Sequence, residues 1–175
     1  MKGNAEVVNT LNKLLAGELM ATDQYLLHGE MYADMGLQKL AEHALHESEH
    51  ERQHAQEIVQ RMLFLEGEPD LATRHEMTTG SNVEEMLKND LAIEYKVVGD
   101  LKAAVVTCEK NHDFVTRDML VKQIEDTEMD HAYFLEKQLN LIQLIGIQNY
   151  IQSQMSGTEG LSLIHISEPT RLGMI

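Results

Sequence analysis

The chain has 175 residues, 43% of them apolar, and a formal charge of -15 at pH 7, enough to bury one core of ordinary size, with nothing that requires a second domain. Acidity of this degree excludes nucleic acid and anionic membrane as principal partners, because both repel it, and leaves cations as the natural ligands. Solubility accounts for most acidic surfaces, so charge alone does not make a metal protein.

With two prolines, Pro69 and Pro169, and a composition rich in Leu, Ala, Glu, Lys, Gln and Met, the chain reads as all-α. A first seam of core-facing positions runs Leu11, Leu15, Glu18, Thr22, Tyr25, Gly29, Tyr32, and breaks near Gly36. A second runs Ala41, Ala44, Ser48, Glu51, Ala55, Ile58, Met62, Leu65. Residues 67–82 hold Pro69, Gly80 and short polar side chains without a period, and predict a long connection. The third seam is Leu87, Leu91, Glu94, Val98, Leu101, Val105, Cys108; after a turn at 111–113 the fourth runs Val121, Ile124, Glu128, His131, Leu135, Ile142, Ile145, slipping to Leu139 where Gln138 interrupts it. The expected fold is a four-helix bundle of two tight hairpins joined by one long crossover, with residues 147–155 as a short fifth helix.

Residues 161–175 differ in kind. Leu161-Ser162-Leu163-Ile164-His165-Ile166-Ser167-Glu168-Pro169-Thr170-Arg171 resembles the read-through translation of a transposase adapter used in sequencing libraries. The domain is therefore expected over 1–160 and the tail is set aside as non-native. The N-terminus carries no apolar secretory stretch and no apolar run approaches the ~20 residues of a membrane span, so the expected address is the cytoplasm. Cys108 has no partner for a disulfide and is assigned no chemistry, and the methionines, Met31, Met62 and Met86 among them, read as core filling.

The informative residues are those that interrupt the apolar seams. Glu18, Glu51, Glu94 and Glu128 fall one on each helix at core-facing positions, and buried carboxylates are costly unless they share a cation. His54 follows Glu51 by three residues and His131 follows Glu128 by three, which leaves each pair on one helical face. Glu-x-x-His is weak evidence alone: Glu47 with His50 and Glu109 with His112 also fit it. Depth along the hairpins discriminates. Glu18 lies 18 residues before Gly36 and Glu51 lies 15 after it, while Glu94 lies 19 before Asp113 and Glu128 lies 15 after it, so each pair sits within a few residues of one level. The halves repeat, with an offset of 76 relating Leu11, Leu15 and Glu18 to Leu87, Leu91 and Glu94, and an offset of 77 relating Glu51 and His54 to Glu128 and His131. Glu109–His112 falls at a helix end as a solvated pair. Four carboxylates balance two divalent cations, and oxygen donors with two imidazoles suit iron or manganese better than structural zinc.

Met1-Lys2-Gly3, Leu11-Asn12-Lys13-Leu14-Leu15, Asp23-Gln24-Tyr25, His46-Glu47-Ser48, Phe64-Leu65-Glu66-Gly67, Val83-Glu84-Glu85-Met86-Leu87, Arg117-Asp118-Met119 and Gln148-Asn149-Tyr150 resemble the bacterioferritins, members of the ferritin-like superfamily, over 1–160. The resemblance implies a hollow 24-subunit shell that stores iron as ferric mineral, with Fe(II) oxidised by dioxygen or hydrogen peroxide. It implies Glu18, Glu51, His54, Glu94, Glu128 and His131 as di-iron ligands, Glu51 and Glu128 bridging, and Tyr25 as a neighbour of the metals. His46, Glu47 and His50 would form an inner-surface iron relay. The family's haem methionine follows the bridging glutamate, where this chain has Arg52, so the resemblance implies a haem-free member or one that co-assembles with a haem-binding sibling. A ferredoxin would serve iron release. The same ligands also suit a rubrerythrin-like peroxidase or a manganese catalase, and a non-catalytic scaffold would leave the four seam glutamates unexplained.

Overall fold

A computed structural model describes residues 2–155; the expectation for the tail at 161–175 lies outside the described residues. Asn4 opens α1 (Ala5–Asp34), its side chain accepting from the Glu6 backbone N–H at 2.7 Å. The chain reverses through Gly36, whose φ of +76° is a conformation L side chains resist, into α2 (Gln38–Phe64). Asn82 and Glu85 cap α3 (Val83–Lys110) reciprocally: Asn82 accepts from the Glu85 N–H at 3.0 Å, and Glu85 accepts from the Ser81 N–H at 3.0 Å. The fourth rod is built from α4 (Phe114–Asp126), a π-helical turn (Thr127–Ala132) and α5 (Tyr133–Ile145). After Gly146, α6 (Ile147–Gln154) packs Tyr150 fully out of solvent, where its hydroxyl donates to Gln138.

The helices pair as two hairpins, α1 on α2 and α3 on the fourth rod, joined by the crossover expected from residues 67–82. The crossover is fastened to α1. Asp70 donates its N–H to Asn12 at 2.8 Å, His75 donates to the Ala16 carbonyl at 3.3 Å, and Thr78 donates to Gln24 at 2.9 Å. Among the described residues no helix is long and apolar enough to cross a membrane.

The core divides into two apolar clusters. One gathers Leu11, Leu15, Ile58, Met62, Leu101 and Leu120, and the other Tyr25, Tyr32, Leu40, Met86, Leu87 and Leu135. Between them, at the middle level of every rod, lies a layer of buried polar and charged side chains. Cys108 is fully buried in the first cluster, and burial with the charge of Asp113 pushes its thiol up to about 11, in keeping with an inert filler.

One expectation needs correction. The second seam is buried along its whole length, but in the fourth rod Val121, Glu128 and Ile145 face outward, and the buried positions are Thr116, Leu120, Gln123, Thr127, His131, Leu135 and Ile142. The π turn is the cause: it inserts one residue into the helical repeat, so positions before it are displaced by one relative to those after it. The offset between the halves carries the same mark. An offset of 76 matches buried Ala44, Glu47 and Glu51 to Leu120, Gln123 and Thr127, whereas 77 matches His54, Ala55 and Ile58 to His131, Ala132 and Leu135. This register is open to test by denaturation. Leu120→Ala, which empties a fully buried site, is expected to cost about 2–5 kcal/mol, while Val121→Ala stays within about 0.5 kcal/mol; the reverse order would place the bulge elsewhere.

Candidate metal centre

Glu18 on α1, Glu51 and His54 on α2, Glu94 on α3 and His131 in the π turn meet in the polar layer, each at most 7% exposed. Glu51 stands at the centre. Its Oε2 lies 3.3 Å from His54 Nδ1 and its Oε1 lies 2.9 Å from His131 Nδ1, so the two carboxylate oxygens face different imidazoles. Glu18 adjoins the His54 side, with Oε2 3.9 Å from Nδ1, and Glu94 adjoins the His131 side, with Oε2 3.6 Å from Nδ1. Two triads result, Glu18–Glu51–His54 and Glu51–Glu94–His131, each with donor atoms within 4.8 Å of one another. They share Glu51.

Apart from the His54–Glu51 hydrogen bond, these contacts are close without being aligned hydrogen bonds. Glu18 Oε2, Glu94 Oε2, and both ring nitrogens of His131 are buried and lack a hydrogen-bonding partner. Orphaned donors and acceptors converging on one volume cost stability unless something fills it. A pair of divalent cations would supply what these atoms lack, and the donor set of hard oxygens with two imidazoles fits iron or manganese.

Electrostatics follow from the crowding. Burial, reinforced by the charge of Glu51, holds Glu18 protonated well above the usual carboxylate range. The same two causes push Glu94 up to about 7. Burial also opposes the charge on Glu51, but His131 and His54 beside it prevail and hold it ionised far below the usual range. His131 must overcome its own burial, and Glu47, Glu51 and Glu94 together raise its basicity far above that of a free imidazole. Tyr25 is buried alongside, and its hydroxyl donates to Glu94; burial and that carboxylate raise the phenol well above its ordinary value.

Glu128 is not brought into the cluster. Its side chain is 44% exposed and pairs with Lys102 at 2.5 Å, because the π turn assigns the inward position to Thr127. Glu47 stands closer to the site than an inner-wall role requires. It is buried, and its carboxylate lies 2.8 Å from His131 Nε2, behind the ring face that turns Nδ1 toward Glu51. A carboxylate on the far nitrogen of a ligand histidine is the usual means of setting its orientation and basicity. Its position one turn before Glu51 on the same face was the available signal. His46, Glu47 and His50 do gather within ligand distance, and His50 approaches His131 with ring centroids 5.8 Å apart. Asp126, half exposed, reaches to 3.6 Å from His54 Nε2.

A second buried network escaped sequence reasoning. His28 Nδ1 contacts Asp90 at 2.8 Å, Gln24 donates to Asp90 at 2.9 Å, and the Gly80 N–H reaches His28 Nε2 at 3.4 Å. Because Nε2 accepts, Nδ1 carries the proton toward Asp90. The network ties the crossover to α1 and α3 one turn from Tyr25 and Glu94.

Arg52, at the position the resemblance assigns to haem ligation, binds Glu49 through Nε at 2.8 Å and through its terminal nitrogen at 2.5 Å on the open surface. A guanidinium has no lone pair to give iron, so this position does not fit a haem ligand.

The pH dependence of stability has a definite sign. Glu18, Glu94 and His131 all hold protons in the fold more tightly than in the unfolded chain, so the folded state binds more protons between pH 6.5 and 8 and loses stability as pH rises. His43, whose imidazole is lowered by burial, acts in the opposite sense around and below pH 6.5. In chelator-treated protein the melting temperature is expected to fall from pH 6.5 to 8, and with Zn(II) bound to rise over the same window, since cation binding displaces those protons. Parallel melting curves with and without Zn(II) would contradict this.

The ferritin-like domain family matches residues 8–145. A bacterial ferritin of Synechocystis sp. is 51% identical over 156 residues, covering 89% of this chain and 100% of that protein. A bacterial ferritin of Neisseria meningitidis serogroup B is 48% identical over 155 residues, covering 89% and 100%. A bacterioferritin of Mycolicibacterium paratuberculosis is 39% identical over 150 residues, covering 86% and 94%.

Proposed function

Because this chain belongs to the ferritin-like family, among the bacterial ferritins and bacterioferritins, we propose that it stores and detoxifies iron, oxidising Fe(II) at the paired site and passing Fe(III) into the cavity of a 24-subunit cytoplasmic shell. The observation that carries this reading is the pair of buried triads sharing Glu51. Iron is substrate and cargo here, and dioxygen or hydrogen peroxide takes its electrons. The three carboxylates of the two triads would favour divalent cations and hold them more firmly than the exposed acids of the surface.

Each residue has a task that its surroundings explain. Glu51 presents one oxygen to each half of the site and serves as the shared ligand. His54 and His131 supply the nitrogen donors, and Glu18 and Glu94 complete the two halves. Glu18, Glu94 and His131 give up protons as Fe(II) binds, so uptake of substrate is coupled to proton release. Glu47 orients His131, and with His46 and His50 offers oxidised iron a next station. Tyr25 holds Glu94 through its hydroxyl and stands beside the site as a hydrogen-bonding or redox-active neighbour. Haem enters no step, because Arg52 replaces its ligand, and a haem-bearing sibling in a mixed shell, or a ferredoxin at the surface, would serve the reduction that releases iron.

Glu51→Ala removes the shared carboxylate without touching either apolar cluster. The initial rate of Fe(II) oxidation, followed by stopped-flow absorbance, is expected to fall by at least about 100-fold, while size-exclusion chromatography shows the same assembled particle as the unaltered protein. Retention of the full initial rate would refute the site.

A further inference from the structure

The proposed oxidation gives Asp126 no task, although it stands beside a ligand histidine. Resting on the reading of the cluster as a two-cation site, we propose that Asp126 is the positioning residue of His54: it accepts the Nε2 proton and so leaves the Nδ1 lone pair directed into the Glu18–Glu51 half of the site.

A neutral imidazole gives a lone pair to a metal from one nitrogen while the other carries the proton, and the partner of that second nitrogen decides which tautomer is present. At His131 the partner is the buried Glu47, 2.8 Å from Nε2. At His54, Nδ1 faces Glu51 at 3.3 Å and Glu18 at 3.9 Å, while Nε2 faces Asp126 at 3.6 Å. The ring of His131 lies behind, with centroids 5.9 Å apart, and brings no acceptor to Nε2. Without Asp126 the proton of His54 is drawn to Nδ1, between two carboxylates, where it blocks the donor atom that a cation needs. With Asp126 in place the proton has an acceptor on the side away from the site.

The internal repeat relates the two backings and exchanges their chemistry. An offset of 76 carries Glu47 onto Gln123 and His50 onto Asp126. Thus α2 presents a carboxylate and an imidazole to the histidine of the fourth rod, whereas the fourth rod presents an amide and a carboxylate to the histidine of α2. Gln123 does not do for His54 what Glu47 does for His131, because its amide donates to the His54 carbonyl at 3.3 Å and to Glu57 at 3.1 Å. Asp126, three residues on, supplies the missing acceptor. His50, its counterpart, lies 5.8 Å from His131 between ring centroids, so the repeat sets both residues beside a ligand ring. Their exposure differs from that of Glu47. The Asp126 side chain is 42% exposed and stands at an open cavity of about 180 Å³ lined also by His50, Gln53, Glu57, Lys122 and Asp130. Its replacement therefore empties no part of the core, which separates its effect on the ring from an effect on the fold.

Titration of the chelator-treated, assembled protein with Co(II), followed by visible absorption, tests this. The unaltered protein is expected to bind two equivalents. Asp126→Ala should weaken one of them by about tenfold or more and leave the other in place, while the metal-free protein melts as before. Asp126→Asn keeps an oxygen able to accept from Nε2–H and should recover part of the loss; an asparagine variant as weak as the alanine one would reduce Asp126 to a nearby charge and overturn the positioning role. Two equivalents held as tightly in Asp126→Ala as in the unaltered protein would overturn the proposal and leave the site reading intact, whereas no paired Co(II) binding in the unaltered protein would overturn both. The assignment to His54 has its own control. In His54→Ala protein, adding Asp126→Ala should change the remaining Co(II) affinity by less than about twofold, because the ring through which it acts is gone; a further tenfold loss there would overturn the proposal.

Discussion

Three carboxylates, Glu18, Glu51 and Glu94, are held almost free of solvent within a few ångströms of one another, and their mutual repulsion is the constraint around which the bundle is arranged. Each would prefer water, and none can reach it without unpacking a helix. The protein answers with protons and imidazoles. Burial favours protons on Glu18 and Glu94, Glu51 keeps its charge beside two histidines, and Glu47, Glu51 and Glu94 raise the basicity of His131. A site that stores protons in this way is poised to trade them for metal ions.

The apolar parts of the molecule serve this layer by holding it from both sides. One core cluster lies on the side of the 36-turn and the other on the side of the 111–113 turn, so the four rods are clamped above and below the charges. The bundle can therefore tolerate a costly middle. The crossover contributes in the same sense: Thr78 and Gly80 are fastened to Gln24 and His28, whose partner Asp90 lies one turn from Glu94. The long connection is a strap over the α1–α3 face, and the residues it grips neighbour the site.

Function then follows from the sharing of Glu51. A carboxylate with one oxygen toward each imidazole would serve two cations in one enclosure, as the proposed oxidation requires. The adjoining His46, Glu47 and His50 lie between the site and a less buried flank, at the back of His131. The substitution at Arg52 closes a different possibility. Its guanidinium is committed to Glu49 and offers a haem iron nothing.

Much of this was legible in the residues. Three seams, both hairpins, the crossover, the short last helix, and the convergence of Glu18, Glu51, His54, Glu94 and His131 all follow from a helical period and from equal depths along antiparallel rods, which are local properties counted along the chain. The register of the fourth rod before His131 was not legible. A period read from apolar positions assumes 3.6 residues in every turn, and Val121, Ile124 and Glu128 satisfy that assumption as well as Leu120, Gln123 and Thr127 do. The choice between them is made by packing against α2 and α3, where the larger buried side chain of Leu120 and the hydrogen bonds of Gln123 outweigh the regularity of the ladder, and one π turn absorbs the difference. Thus composition and spacing determined that acids would be buried at one level, while the tertiary structure alone decided which face of the fourth rod Glu128 occupies, because a single inserted residue rotates a helix without altering its sequence pattern.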